Sequence, residues 1–195
     1  MKLLGTILIS AFLLVGCEKI EGQLNITKEL KLVNSNGETH SLKLGTYNAD
    51  ISVNNSKKLT LRLNNDANEK FVFKFNGNIP ENGNFAVSST VSGQPVDLAG
   101  TVSTVITESA LRASTESCTY QRAVQVCYPQ PKGGVFCSVQ YQTVFGTHWV
   151  RFYERNTNKN VGIKVNAAGT SDESADFHGD LAYSERVIVD QSNCM

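Results

Sequence analysis

From Gln23 to about Ser88 the chain repeats one pattern: short runs with apolar side chains at every second position, each closed by a cluster of Asn, Gly, Asp or Ser. Successive side chains of a strand point to opposite sides of the backbone, so this alternation predicts strands with one buried face. Leu24, Ile26, Leu30 and Leu32 share one parity, and Asn34-Ser35-Asn36-Gly37 then turns the chain. Asn36-Gly37 is a strong hairpin signal, since both residues tolerate positive φ. Further strands are expected over 41–44, 46–53, 59–63, 71–75 and 85–88. Their Asn-rich connectors, from Asn54-Asn55-Ser56 to Asn82-Gly83-Asn84, recur about every ten residues, the rhythm of a sandwich or barrel.

A second apolar block covers 96–107, and the small, polar stretch 108–116 reads as a linker or a short helix around Ala110. Strands resume over 119–128, 135–145, 149–154, 161–165 and 186–190. The expected fold is all-β: an antiparallel sandwich or barrel-like domain over 23–107, with 117–195 as a second β region or as its continuation. No sequence-similar internal repeat is present.

Residues 1–16 are of another kind. A short positive start at Lys2 leads into the apolar run Leu3 to Val15, too brief to span a bilayer and shaped like a helical signal peptide. It ends in Leu14-Val15-Gly16-Cys17, which resembles the lipobox of bacterial lipoproteins. The resemblance covers only these first residues. It implies cleavage between Gly16 and Cys17, a diacylglyceryl group on the Cys17 thiol, and N-acylation by a fatty acid such as palmitate. Two or more acyl chains give durable membrane anchoring where one gives only marginal binding. Glu18 stands where Asp often signals inner-membrane retention, so the resemblance favours the outer membrane. Residues 17–22 are then expected to be a lipidated tether.

Removing 16 of the 195 residues leaves 179, with 17 Lys and Arg against 18 Asp and Glu, a formal net charge of −1. That balance argues against nucleic acid as a partner and against a polybasic route to the membrane, leaving the lipid as the membrane contact. Between Arg112 and Lys164 stand seven basic and two acidic residues, whereas Asp172 to Asp190 holds six acidic and one basic. These opposite surpluses are suited either to facing each other across paired strands or to forming separate solvated surfaces.

An exported chain meets an oxidising compartment, so Cys118, Cys127, Cys137 and Cys194 are expected to form two disulfides. Of the three connectivities that four cysteines permit, 127 with 137 and 118 with 194 is favoured. The segment between Cys127 and Cys137 reads as a hairpin tip, because Pro129, Pro131, Gly133 and Gly134 interrupt a regular strand. Parity speaks partly against that bridge. Val124, Val126 and Tyr128 are even-numbered and Val135, Val139 and Tyr141 odd, so gathering both sets on one face would send the two cysteines to opposite sides.

Trp149, Arg151 and Tyr153 share one strand face; core or inter-strand packing is the commoner role of such residues, and the combination is also suited to binding a protein or glycan partner. Asp172, Glu173, Asp176, His178 and Asp180 read as a solvated acidic loop; they lack the EF-hand order, and no metal or cofactor is expected. No nucleophile elbow, zinc-binding helix, phosphate loop or dinucleotide fingerprint accompanies His40, His148 or His178, so an enzyme is disfavoured. The expectation is a lipid-anchored envelope protein with a structural or partner-binding β-domain. The alternative is an envelope hydrolase, or a protease inhibitor presenting Lys132 on the 127–137 loop.

Overall fold

The computed structural model describes residues 19–54, 57–131 and 133–195. The leader, Gly16, Cys17 and Lys132 lie outside them. The chain is all-β: β1 (Lys19–Ile26), β2 (Leu30–Val33), β3 (Thr39–Leu42), β4 (Gly45–Asn54), β5 (Lys58–Leu63), β6 (Lys70–Lys74), β7 (Gly83–Val87), β8 (Val96–Glu108), β9 (Arg112–Pro129), β10 (Val135–Ala167) and β11 (Glu173–Gln191). A four-residue helix, α1 (Ser89–Ser92), ends at Gly93 in the left-handed region. The main sheet runs β6-β5-β4-β1-β11-β10-β8-β7 with β9 also paired to β10, and β2 with β3 forms a separate hairpin. The described residues divide into two units, one of 19–105 with 158–181 and the other of 106–157 with 182–195.

The first unit follows directly from the alternation. Leu24 and Ile26 of β1, Leu59, Leu61 and Leu63 of β5, and Phe71 and Phe73 of β6 are buried on one parity. Val96 and Leu98 of β8, Ile163 and Val165 of β10, and Ala175 and Phe177 of β11 are buried likewise. Strands from across the sheet, β1 to β11, line one interior gap of only about 10 Å³, so the sheet curls around its core. Phe75, just after β6, meets Phe85 of β7 edge to face with ring centroids 5.8 Å apart, which brings the two ends of the curled sheet together.

Two glycines make this curl possible at particular places. Gly22 stands opposite Gly179 in the β1–β11 ladder, and a Cβ on Gly22 would collide with the His178 carbonyl. On β8, Gly100 lies opposite Phe85, whose ring occupies the space a side chain there would need. An aromatic ring covering a cross-strand glycine shields its backbone from water.

The β2–β3 hairpin is attached through buried amides. Gln94 accepts from the Val33 N–H at 2.8 Å and donates to the carbonyls of Val33 at 2.8 Å and Val72 at 3.1 Å. It therefore bridges β2 and β6 in place of a strand. Asn34 caps the turn through Oδ1, which accepts from the N–H groups of Asn36 and Glu38.

Three segments differ from the pattern read along the sequence. β1 starts at Lys19, so residues 19–22 belong to the sheet and not to a tether. Ile20 is buried and Lys19 pairs its ammonium with Glu21 at 2.8 Å and Asp50 at 3.6 Å, which extends the strand further than the apolar pattern suggested. The stretch 108–116 forms no helix: Glu108 closes β8, and Arg112 already opens β9. The acidic stretch 172–180 is mostly strand, because buried Ala175 and Phe177 alternate with outward Asp176 and His178 and pair with Ile26 and Leu24. Charge on one face disguised a strand whose other face is core. The region after residue 117 is also divided, since 158–181 packs in the first unit.

Candidate functional site

The second unit is a ribbon with almost no core. Val150 is its one buried apolar side chain among the described residues. β9 and β10 pair from Arg112 opposite Phe152 to Pro129 opposite Val135. A sheet this exposed cannot rely on burial, and covalent links take over that role. Cys127 is bonded to Cys137 directly across the ladder, and Cys118 is bonded to Cys194.

The second bridge fastens the C-terminal tail. Thr147 and Met195 exchange backbone hydrogen bonds of 2.9 and 3.1 Å, and the Ser192 N–H donates to the Trp149 carbonyl at 2.8 Å. Gly146 stands opposite Cys118, and a Cβ there would collide with the Met195 carbonyl. The glycine that seemed to interrupt β10 is what lets the tail approach.

Directly opposite residues of an antiparallel pair share a face. One face therefore carries the odd positions of β9 and β10: Val139, Tyr141, Phe145 and Trp149 alternate with Thr143 and Thr147 and lie beside Gln125, Ala123, Thr119 and Thr115. Phe145 is 85% exposed and Tyr141 72%, values far above those of core aromatics. Trp149, Arg151 and Tyr153 lie on this same parity. The Arg151 guanidinium sits 5.9 Å from the Trp149 ring. Tyr153 is engaged elsewhere: Arg155 donates to its hydroxyl at 2.7 Å and pairs with Glu108 at 3.0 Å and Glu185 at 3.2 Å. Hydrogen bonding to Glu108 is the main reason the Arg155 pKa is raised. The aromatic surface thus runs from Trp149 away from Tyr153, towards Phe145, Tyr141 and Val139.

Those three residues were missed because Gly146-Thr147-His148 reads as a break between two strands. The available signal was charge: from Ser117 to Val150 the sequence contains only Arg122 and Lys132 as formally charged residues.

The even-numbered face is different in character. Arg186 of β11 stacks over the Phe152 ring at 3.6 Å, forms an ion pair with Glu116, and donates to Ser114 Oγ at 3.2 Å. That hydrogen-bonded ion pair, with His148 nearby, holds the Glu116 carboxyl below the usual range. The cluster covers part of the strands and explains why this face is the less exposed one.

In the first unit a shallow groove of about 710 Å³ is lined by Phe85, Gly100, Gly162, Lys164 and His178 among others. No carboxylate lines it, although His178 Nε2 lies 3.3 Å from Asp176 Oδ2 beside the groove, a pair with no serine or cysteine in the lining to activate. Nor does any group of three or more His, Cys, Asp or Glu suited to a metal occur among the described residues.

Compared with protein-family models, curated proteins and solved structures, the chain matches none.

Proposed function

We propose that this chain is a lipid-anchored envelope protein that binds a protein partner through the odd-numbered face of its ribbon. The observation that carries the binding half is the exposed row Val139, Tyr141, Phe145 and Trp149 on strands held in register by a disulfide. Exposed aromatics on a rigid frame lose little conformational entropy on binding and are favoured as interface anchors. They spread over residues 139–149, about 34 Å at the rise of an antiparallel strand, which suits a protein surface better than a single sugar ring.

The anchoring half rests on Leu14-Val15-Gly16-Cys17. With β1 starting at Lys19, only Glu18 separates a lipidated Cys17 from the sheet, two residue steps with a reach of about 7 Å at most. Such an anchor holds the β-domain close to the membrane, in the outer membrane if the Glu18 sorting signal applies. A binding module is preferred to a hydrolase because the histidine of the described groove, paired with Asp176 at 3.3 Å, is 78% exposed and the lining holds no serine or cysteine nucleophile.

The test uses a photo-crosslinking residue at Phe145 in intact cells, with the same residue at exposed Lys31 as control. The reading predicts a discrete protein adduct from position 145 alone. Equal patterns from both positions, or none from either, contradict it. Alkyne fatty-acid labelling checks the anchor separately: Cys17→Ser should abolish label and leave uncleaved precursor.

A further inference from the structure

We infer that the free edge of β9 is a self-association site, at which two copies of this chain pair antiparallel with Thr119 opposite its own counterpart. The inference is independent of acylation at Cys17 and of the aromatic face.

β9 is 18 residues long and, among the described residues, hydrogen-bonds only to β10. Its other edge presents a row of unpaired backbone groups. Monomeric proteins guard such edges with charges, prolines, bulges or very short strands. This one has Pro129 at its far end and, from Ala113 to Tyr128, only Glu116 and Arg122 as charged residues. An edge so long and so lightly protected is suited to strand addition.

Charge then selects the occupant and the register. Glu116 and Arg122 are of opposite sign and lie on the same face, three residues either side of Thr119. In an antiparallel pair centred on Thr119, Glu116 of each copy falls opposite Arg122 of the other, so the complementarity is satisfied twice. This register keeps residues 112–126 of β9 in the pair and sets Arg112 opposite Val126, with no like charges facing. Centring on Ser117 would oppose Arg112 to Arg122, and centring on Ser114 would pair only residues 112–116. Both described contacts of the Glu116 carboxylate, to Arg186 and Ser114, fall on Oε1. Arg122 is exposed and forms no ion pair among the described residues. The paired ribbons would share a continuous sheet with both aromatic faces on one side.

The experiment is sedimentation velocity of the mature chain carrying Cys17→Ser, across the micromolar range. A dimer is expected. Arg122→Glu should weaken it at least tenfold by setting like charges opposite each other, while Arg122→Lys should retain it. A ketone-bearing residue at position 119, coupled to a nitroxide, supplies a measurement that needs no charge variant. Centred pairing puts the two backbones about 5 Å apart there and predicts strong dipolar broadening. Labels at position 125 should lie about 40 Å apart. A monomer at every concentration overturns the inference. So does a dimer indifferent to Arg122→Glu, or one whose labels at 119 show no broadening.

Discussion

Cys127 and Cys137 stand directly opposite each other on β9 and β10, with Cα atoms 4.0 Å apart and sulfurs bonded. The pairing sets the register of the whole ribbon. Val126 then faces Ser138 and Val124 faces Gln140, while Val139 and Tyr141 point the other way. A slip of one residue would bring Val126 opposite Val139 and Val124 opposite Tyr141, gathering apolar side chains on one face. The disulfide holds the register that keeps them apart.

Replacing both cysteines with Ser should therefore do more than loosen the hairpin. Closing a loop of 10 residues is worth about 2–3 kcal/mol in the chain-entropy model, so amide exchange over 119–127 should accelerate while that of β5 stays unchanged. NMR contacts between Val126 and Val139 side chains should appear as the slipped register becomes populated. Unaltered exchange and no such contacts would remove the register role.

Glu116 provides a pH dependence with a definite sign. Its folded pKa is depressed, chiefly by the hydrogen bond from Arg186, so the stabilisation is complete above the ordinary Glu range and is lost as pH falls through the lower folded value. Amide exchange around β9 and the end of β11 should quicken through that acid window. Arg186→Gln should remove most of the pH response, and a response of full size in that variant would exclude this ion pair as its source.

In the first unit, Gln94→Leu should cost about 2–4 kcal/mol, since it orphans the Val33 N–H and the Val33 and Val72 carbonyls while filling nearly the same volume. Urea unfolding measures it. Gly22→Ala should cost about 1–3 kcal/mol, because the added methyl meets the backbone of His178 rather than a movable side chain.

The sequence made the first unit legible because each of its strands has one face in a common core, and burial imposes alternation on residues such as Leu59, Leu61 and Leu63. The second unit lacks that constraint. Its register comes from Cys127–Cys137, and its β10 continues through Gly146 because Met195 needs the space. Parity therefore misled where both faces meet solvent, and the aromatic surface was recognised at Trp149 but not at Phe145 or Tyr141. The acidic run at Asp172–Asp180 misled for the opposite reason, its polar face being conspicuous and its buried Ala175 and Phe177 sparse.

The most direct test of the binding face joins two readouts on Tyr141→Ser with Trp149→Ser, keeping the photo-crosslinking residue at position 145. Exposed substitutions away from a core change stability by only about 0.5 kcal/mol, so the urea midpoint should stay where it is while the adduct disappears. An adduct that persists at full yield, or a midpoint that falls sharply, would contradict the account and return these aromatics to a structural role.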